Sequence, residues 1–195
     1  LVIGIGSGSF VRFFQHHLPE CAIDAVDYSP HIIKVARGYF QLPENDRISI
    51  FCSDGYQFLE RNQNNKYDLI LVDAFDASGM APTIYSQQFF TLCAKCLTSE
   101  GIISCNLWSS NATQLREIRA ILDTLLTSCL YLPVHNRGNL VAILMSSENP
   151  WPHLLLKNKE LNPIAKGYNL DFRRMIKIAK QNNLTLSKRL IGLWN

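Results

Sequence analysis

The first ten residues, LVIGIGSGSF, constrain the fold more than any other stretch. The apolar residues Leu1 to Ile3 predict a buried strand. Glycines at alternate positions, Gly4, Gly6 and Gly8, then interrupt the strand, and a helical apolar pattern starts at Phe10. A strand, a glycine turn and a helix in this order let a ligand approach the backbone beneath a helix N-terminus. Because such turns also serve merely to join strands to helices, this pattern alone leaves both interpretations open.

Strand and helix patterns alternate along the following part of the chain. Further strands are predicted over 22–27, 48–53, 67–72, 101–108, 131–134 and 139–145. Helices between successive strands are typical of a parallel sheet that is covered on both faces. The last two strands are separated by a short turn and therefore predict an antiparallel hairpin. The fold class is α/β: a doubly wound, mainly parallel seven-stranded sheet with an antiparallel last strand.

The chain of 195 residues suits one domain followed by a helical C-terminal extension, and its 47% hydrophobic content is ample for a core. We expect a catalytic domain over residues 1–149 and a basic extension over 150–195, with its clearest helix at 171–181. From Lys157 onward nine basic residues oppose two acids, so this tail carries +7 and the preceding part −4. Such lysines are usually the solvated face of amphipathic helices, so nucleic acid is not an expected partner.

Cysteines and hydropathy predict a cytoplasmic protein. No apolar run approaches the roughly 20 residues of a membrane helix. We expect no signal peptide, since residue 1 already lies in a strand, although the missing methionine indicates that residues precede it. The six scattered cysteines favour reduced core thiols over disulfides. Cys93 and Cys96 share a helical face with Phe89 and Leu97, which favours core packing over a redox or zinc motif.

Three aspartates come at the ends of successive predicted strands: Asp27, Asp54 and Asp73. In an open α/β sheet the ligand crevice lies outside these carboxyl ends. Asp27 follows the glycines at about 20 residues, the spacing of an acid that bridges ribose hydroxyls. Asp54 can accept a hydrogen bond from an adenine amino group, and Asp73 would face the reactive end of a cofactor, with Asp76 nearby. Each acid alone could be a turn or cap residue, but together they predict a site.

These motifs resemble the spermidine synthase (polyamine aminopropyltransferase) family over roughly residues 1–147. They are Gly4-Ile5-Gly6-Ser7-Gly8, Val26-Asp27, Ser53-Asp54-Gly55 and Asp73-Ala74-Phe75-Asp76. The resemblance implies the Rossmann-like fold of class I S-adenosylmethionine-dependent methyltransferases. It also implies S-adenosylmethionine or its decarboxylated form as co-substrate, no metal, and a small-molecule amine as acceptor.

The resemblance further implies a role for each matched residue. The glycine loop would hold the methionine-derived end of the co-substrate, Asp27 the ribose, and Asp54 with Gly55 the adenine. Tyr28 joins this cofactor-binding set, which comprises Gly4, Gly6, Ser7, Gly8, Asp27, Tyr28, Asp54, Gly55 and Asp73. Asp73 would be the catalytic base on the incoming amine, and Asp76 a second catalytic carboxylate that positions this cation.

The acceptor half departs from the family pattern. Members that make polyamines carry Gly-Gly-Gly-Asp-Gly in the loop, and here Ser7 replaces the aspartate. Serine removes a charge that should repel the carboxylate of intact S-adenosylmethionine. The Tyr-Pro-x-Gly-x-Trp segment is replaced by residues 134–139, and Asn106-Leu107-Trp108 is more similar to divergent spermidine synthase-like proteins.

Several alternatives stay open at this point. Asp73 and Asp76 could hold a magnesium ion for a hydroxyl nucleophile, and His135 or Arg137 could serve as a second base or an anchor for an acidic acceptor. Aminopropyl transfer to an amine is the first hypothesis, because a carboxylate both attracts an ammonium ion and takes its proton. A methyltransferase is the second and a catalytically silent adenosyl-binding or assembly module the third. The acids at the third and fourth strand ends disfavour a dinucleotide oxidoreductase. A homodimer is compatible with all of these.

Overall fold

A computed structural model describes residues 1–76, 79–81, 83–108, 111–134, 137–146, 165–168 and 170–183. Its strands are Val2–Ile3 (β1), Ile23–Asp27 (β2), Ile48–Cys52 (β3), Tyr67–Val72 (β4), Phe75–Asp76 (β5), Gly79–Met80 (β6), Leu97–Trp108 (β7), Ser128–Pro133 (β8) and Asn139–Met145 (β9). Its helices are Ser9–His17 (α1), Pro30–Phe40 (α2), Gly55–Arg61 (α3), Gln87–Lys95 (α4), Ala112–Leu125 (α5) and Phe172–Asn183 (α6).

The main sheet has seven strands in the order β3-β2-β1-β4-β7-β9-β8. All neighbouring pairs are parallel except those made by β9, which runs antiparallel to both β7 and β8. The predicted seven-stranded sheet with an antiparallel last strand is therefore confirmed. The chain moves outward from β1 to β3 and then returns to place β4 on the other side of β1. This reversal creates the crevice at which open α/β sheets bind ligands.

Side-chain caps fix where the helices after the strands begin. The hydroxyl of Ser29 accepts a hydrogen bond from the backbone of Ile32, and Pro30 occupies the first turn of α2, as predicted. Ser86 caps α4 and Asn111 caps α5 in the same way. Within the described residues no side chain caps α1, which starts directly after Gly8. The glycine loop itself therefore determines where α1 begins.

Two apolar clusters cover opposite faces of the sheet. Alternate residues of β1 point to opposite faces, so Val2 packs with α1 and α2 whereas Ile3 packs with α3, α4 and α5. The second cluster is the larger and includes the fully buried Phe89 and Phe90 of α4. Apolar side chains and helices therefore cover both faces of the sheet. Polar groups converge instead at the carboxyl ends of the parallel strands.

Three boundaries differ from the sequence prediction. The segment after Asp73 is more ordered than the irregular loop that was expected, since β5 and β6 form an antiparallel hairpin there. The strand expected to begin at residue 101 starts at Leu97, because Leu97 pairs with Tyr67 across a register shift. The strand expected at 131–134 starts earlier, at Ser128.

The C-terminal extension is described in part. The helix predicted at 171–181 is confirmed as α6, which packs against the outer strand β8. The predicted domain boundary after residue 149 lies outside the described residues, and the division into two domains stays a prediction. In the described part of the chain, no helix is long and apolar enough to cross a membrane.

Candidate active site

The glycine loop joins β1 to α1 through three backbone conformations that favour glycine. Gly4, Gly6 and Gly8 have φ values of 92°, 52° and 79°. A Cβ atom on Gly4 would lie 2.2 Å from the carbonyl oxygen of Asp73, so the loop presses against the end of β4. At Gly6, by contrast, no described heavy atom lies within 4 Å of the Cβ position. The middle of the loop therefore faces open space.

Arg12 holds this loop in place through its guanidinium group. Its Nη1 donates to the carbonyl oxygens of Ser7 at 2.6 Å and Phe40 at 2.7 Å, which links the loop to the C-terminal end of α2. The Ser7 and Ser9 hydroxyls form a hydrogen bond of 2.8 Å at the tip of the loop. Arg12 could not be predicted from the sequence, because a contact that depends on the packing of α1 beside α2 leaves no local pattern.

Asp27 lies between the glycine loop and the start of α2. One carboxylate oxygen accepts from the backbone N–H of Ile5 at 2.9 Å, and the other accepts from Ser29 N–H at 3.0 Å. Among the described residues it is the one charged side chain that is buried, with 8% exposure. The neighbouring Tyr28 is 65% exposed. Asp27 thus supports the loop from the end of β2. This is the position at which the sequence predicted a side chain that binds ribose.

Asp54 and Gly55 form the start of α3 at the end of β3. The Asp54 Oδ1 accepts from Gln57 N–H at 3.1 Å, so this carboxylate caps the helix. A Cβ atom on Gly55 would lie 2.6 Å from the Cγ2 atom of Ile3, which explains why the helix begins with glycine. Asp54 therefore has the cap role that was one of the alternatives predicted from the sequence. Because it caps through one oxygen, its carboxylate can still accept further hydrogen bonds.

Asp73 is tied into a row of polar side chains. Its Oδ1 accepts from Asn106 Nδ2 at 2.8 Å, and the Asn106 Oδ1 accepts from Asn139 Nδ2 at 2.9 Å. The Tyr85 hydroxyl donates to the Asn106 carbonyl oxygen at 2.8 Å. Burial, with smaller contributions from Cys105 and Asp73, raises the pKa of Tyr85 above its ordinary value, which keeps this donor protonated. Asp73 is therefore held in one orientation.

The β5–β6 hairpin packs against an aromatic side chain next to Asp73. Trp108, at the end of β7, is 41% exposed, and a Cβ atom on Gly79 would lie 3.2 Å from its ring. The backbone N–H of Trp108 donates to the Met80 sulfur at 3.2 Å, and the Phe75 ring meets the Trp108 ring edge-on. An apolar wall therefore borders the side of the crevice away from the glycine loop.

The remaining predicted site residues have mixed outcomes. The backbone of Asp76 pairs with Gly79 in the hairpin, but its side chain lies outside the described part. His135 also lies outside the described residues, and Arg137 is exposed in the turn before β9. Among the described residues, no group of three or more His, Cys, Asp or Glu side chains could hold a metal ion.

The cysteines conform to the prediction in part. All six are free thiols, and Cys93, Cys96 and Cys105 are buried as expected. Cys21 and Cys52 are exposed, because the former lies in the turn before β2 and the latter ends the outer strand β3. The prediction of core packing for Cys93 and Cys96 is therefore confirmed, whereas Cys21 and Cys52 are not the core thiols that the sequence favoured.

Comparisons with known proteins agree with this arrangement. A sequence model of the spermine/spermidine synthase domain matches residues 1–133. A polyamine aminopropyltransferase from Neisseria meningitidis is 32% identical over 182 residues, which cover 93% of this chain and 69% of that protein. The chain belongs to the spermine/spermidine synthase family. The predicted resemblance is thus confirmed, and so is the enzyme class, since the relatives of this family member are named as transferases.

Solved structures show the same fold. A spermidine synthase in complex with the transition-state analogue AdoDATO superposes with a TM-score of 0.77 at 16% identity, over 98% of this chain and 68% of that one. Human methyltransferase-like protein 13 in complex with SAH superposes with a TM-score of 0.72 at 24% identity, over 90% of this chain and 80% of that one. The fold of this family member is therefore the one that spermidine synthases share with methyltransferases, as predicted.

Proposed function

We propose that this chain is an aminopropyltransferase that binds decarboxylated S-adenosylmethionine along the carboxyl edge of the sheet and transfers its aminopropyl group to an amine. One observation carries the proposal: Gly4 of the glycine loop lies against the backbone of Asp73. The loop assigned to the donor and the residue assigned to the acceptor therefore lie side by side at the crevice between β1 and β4. The family membership and the names of the relatives support the same reaction.

The residues along the donor half fit an adenosyl group. Open space at the Cβ position of Gly6 leaves room for the methionine-derived end. Asp27 is the last residue of β2 and the exposed Tyr28 follows it. We assign the ribose to this position. Asp54 and Gly55 follow β3, where we assign the adenine. The order of these groups along the sheet edge matches the order of the parts of the donor.

The acceptor chemistry follows from Asp73. The bound donor supplies an alkyl carbon that is activated by its sulfonium sulfur, so the protein needs chiefly to align the reactants. Asp73 attracts the protonated amine and takes one proton from it. The freed nitrogen lone pair forms the new C–N bond while the C–S bond breaks, and its electron pair leaves on a neutral thioether. We assign to Asp76 a second carboxylate that holds the acceptor cation.

Methylation is the second candidate, and one observation favours it. Neither the described glycine loop nor the first turn of α1 contains an acidic residue, since Ser7 stands where polyamine-forming relatives carry aspartate. The carboxylate of intact S-adenosylmethionine therefore meets no negative charge at this place. The name of the relatives and the analogue bound to the related spermidine synthase support the decarboxylated donor instead.

Calorimetric titration with intact donor, decarboxylated donor and methylthioadenosine separates these candidates. Tighter binding of the decarboxylated donor, together with transfer to a diamine, supports aminopropyl transfer, whereas preference for the intact donor supports methylation. Binding of none of the three compounds would leave only a silent assembly module.

A variant pair tests the proposed base. Asp73→Asn should lower kcat by about 10²–10⁴-fold and affect methylthioadenosine affinity far less, because it removes the proton acceptor but leaves the glycine loop, Asp27 and Asp54 in place. Asp68→Asn, at the opposite end of the same strand, is the matched control, since its carboxylate accepts only from the surface residue Thr98 in the described contacts. Full turnover of Asp73→Asn would exclude Asp73 as the base.

A further inference from the structure

We infer that Asn106 and Asn139 form a directional amide relay that orients Asp73 for its reaction. This inference rests on the proposed role of Asp73 as the base. Neither asparagine is assigned to the donor or to the acceptor, and both act through the carboxylate. They are positioning residues rather than catalytic ones.

The relay crosses three adjacent strands of the sheet. Asp73 directly follows β4, Asn106 lies near the end of β7, and Asn139 is the first residue of β9. Asn139 pairs in register with Trp108, two residues beyond Asn106, so the two amides meet diagonally. The hydrogen bonds are 2.9 Å from Asn139 Nδ2 to Asn106 Oδ1 and 2.8 Å from Asn106 Nδ2 to Asp73 Oδ1.

The chemistry of the amide group gives the relay its direction. An asparagine side chain donates from nitrogen and accepts at oxygen. Because the Asp73 carboxylate can only accept, the Asn106 nitrogen faces Asp73, and the Asn106 oxygen is left to accept from Asn139. A chain of hydrogen bonds polarises each member, and the last bond, which ends on a carboxylate, is charge-assisted. Asn139 therefore stabilises the Asn106 rotamer that donates to Asp73, although it does not touch Asp73.

The backbone leaves Asn106 little freedom to depart from this arrangement. It lies in the middle of the sheet, where it pairs with Val141 of β9, and its carbonyl oxygen accepts from the buried Tyr85 hydroxyl. With Asp73 Oδ1 occupied by the relay, we assign Oδ2 to the amine. The proposed base would thus present one fixed oxygen, which is the alignment that an activated donor requires.

An almost isosteric variant disrupts the relay. In Asn139→Asp the new carboxylate can only accept, so it competes with Asp73 for the Asn106 nitrogen, and whichever carboxylate loses this donor faces the Asn106 oxygen. We expect kcat to fall about 10- to 100-fold while methylthioadenosine affinity changes less than twofold. Asn111→Asp is the matched control, because it adds the same charge near the same sheet edge and aspartate caps α5 as well as asparagine does. Equal kcat for the two variants would overturn the relay.

A double-mutant cycle tests the relay without any turnover. Asn139→Asp alone should lower Tm by about 2–4 °C, because an oxygen then faces a carboxylate. In the double variant Asp73→Asn/Asn139→Asp the new amide at position 73 can donate to the turned Asn106, so Tm should return to within about 1 °C of the wild type. Additive Tm changes would overturn the relay even if the wild type transfers aminopropyl groups. Absence of donor binding by the wild type would instead overturn the proposed function and leave this cycle interpretable.

Discussion

The backbone N–H of Ile5 in the glycine loop donates to the carboxylate of Asp27, 22 residues further along the chain, at 2.9 Å. The second carboxylate oxygen accepts from Ser29 N–H, so one buried side chain connects the loop to the start of α2. The residue that spacing alone assigned to a ribose therefore also holds the loop assigned to the rest of the donor. We therefore expect donor affinity and local stability to be coupled at this position.

Asp27→Asn should weaken both properties. Asparagine has one acceptor oxygen, so either Ile5 or Ser29 loses its partner and its N–H faces an amide nitrogen. A buried unpaired N–H group costs about 1–3 kcal/mol, which urea unfolding will measure, and methylthioadenosine affinity should fall with it. Asp46→Asn, an exposed residue of the turn before β3, controls for the change of charge. Unaltered stability of the Asp27 variant would contradict the proposed coupling.

Gly4→Ala should disrupt the junction of β1 and β4. A methyl group at this position would lie 2.2 Å from the Asp73 carbonyl oxygen, and φ is 92°. Backbone strain and overpacking together should lower the free energy of unfolding by about 2–6 kcal/mol. Gly38→Ala in α2 is the control: no described heavy atom lies within 4 Å of its Cβ position, so alanine should be neutral or stabilising by up to about 1 kcal/mol. Similar denaturation midpoints for the two variants would refute this account.

The sequence was informative where a signal is local. Apolar strands that end on Asp27, Asp54 and Asp73 place three acids on one edge, because parallel strands share the direction of their carboxyl ends. Glycines at alternate positions likewise predicted the turn that joins β1 to α1. Such features depend on a few consecutive residues, so a single sequence contains them.

Contacts between distant strands could not be predicted in this way. Asn139 reaches Asn106 only because β9 inserts between β7 and β8 with one register, and no local pattern specifies that register. The β5–β6 hairpin was missed for a related reason, since its strands have two residues each and are stabilised by packing on Trp108. Both features lie on the side that we assign to the acceptor, where the sequence also departs from the family pattern.

The six thiols should divide into reactive and protected groups. Cys21 and Cys52 are exposed and should be alkylated first at pH 8.5. Burial raises the pKa of Cys129 to about 11, so at pH 9 only about one per cent of this thiol is ionised. Its alkylation should therefore accelerate as pH rises from 9 toward 11, while the buried Cys93, Cys96 and Cys105 stay protected until the chain unfolds. Mass spectrometry of peptides will assign each site, and fast labelling of Cys129 at pH 8.5 would disprove its burial.

Asn183 at the end of α6 should protect the outer strand β8 from unfolding and self-association. Its side chain accepts from Tyr131 N–H at 2.7 Å and donates to the Tyr131 carbonyl oxygen at 2.9 Å, which satisfies both outward backbone groups of that residue. An open strand edge is a template for pairing with another chain. Asn183→Ala should therefore cost about 1–3 kcal/mol and speed hydrogen exchange at the Tyr131 amide.

Asn182→Ala is the control for Asn183→Ala, because Asn182 bonds to Ile178 within the same helix and should leave β8 unchanged. Gel filtration at rising concentration will show whether the exposed edge also dimerises. If Tyr131 exchanges at the same rate in both variants, the docking of α6 rests on its apolar contacts, such as the buried Ala179, rather than on the paired amide. Faster exchange in Asn183→Ala alone would instead establish that the Asn183 side chain protects the outward backbone groups of Tyr131 at this edge of the sheet.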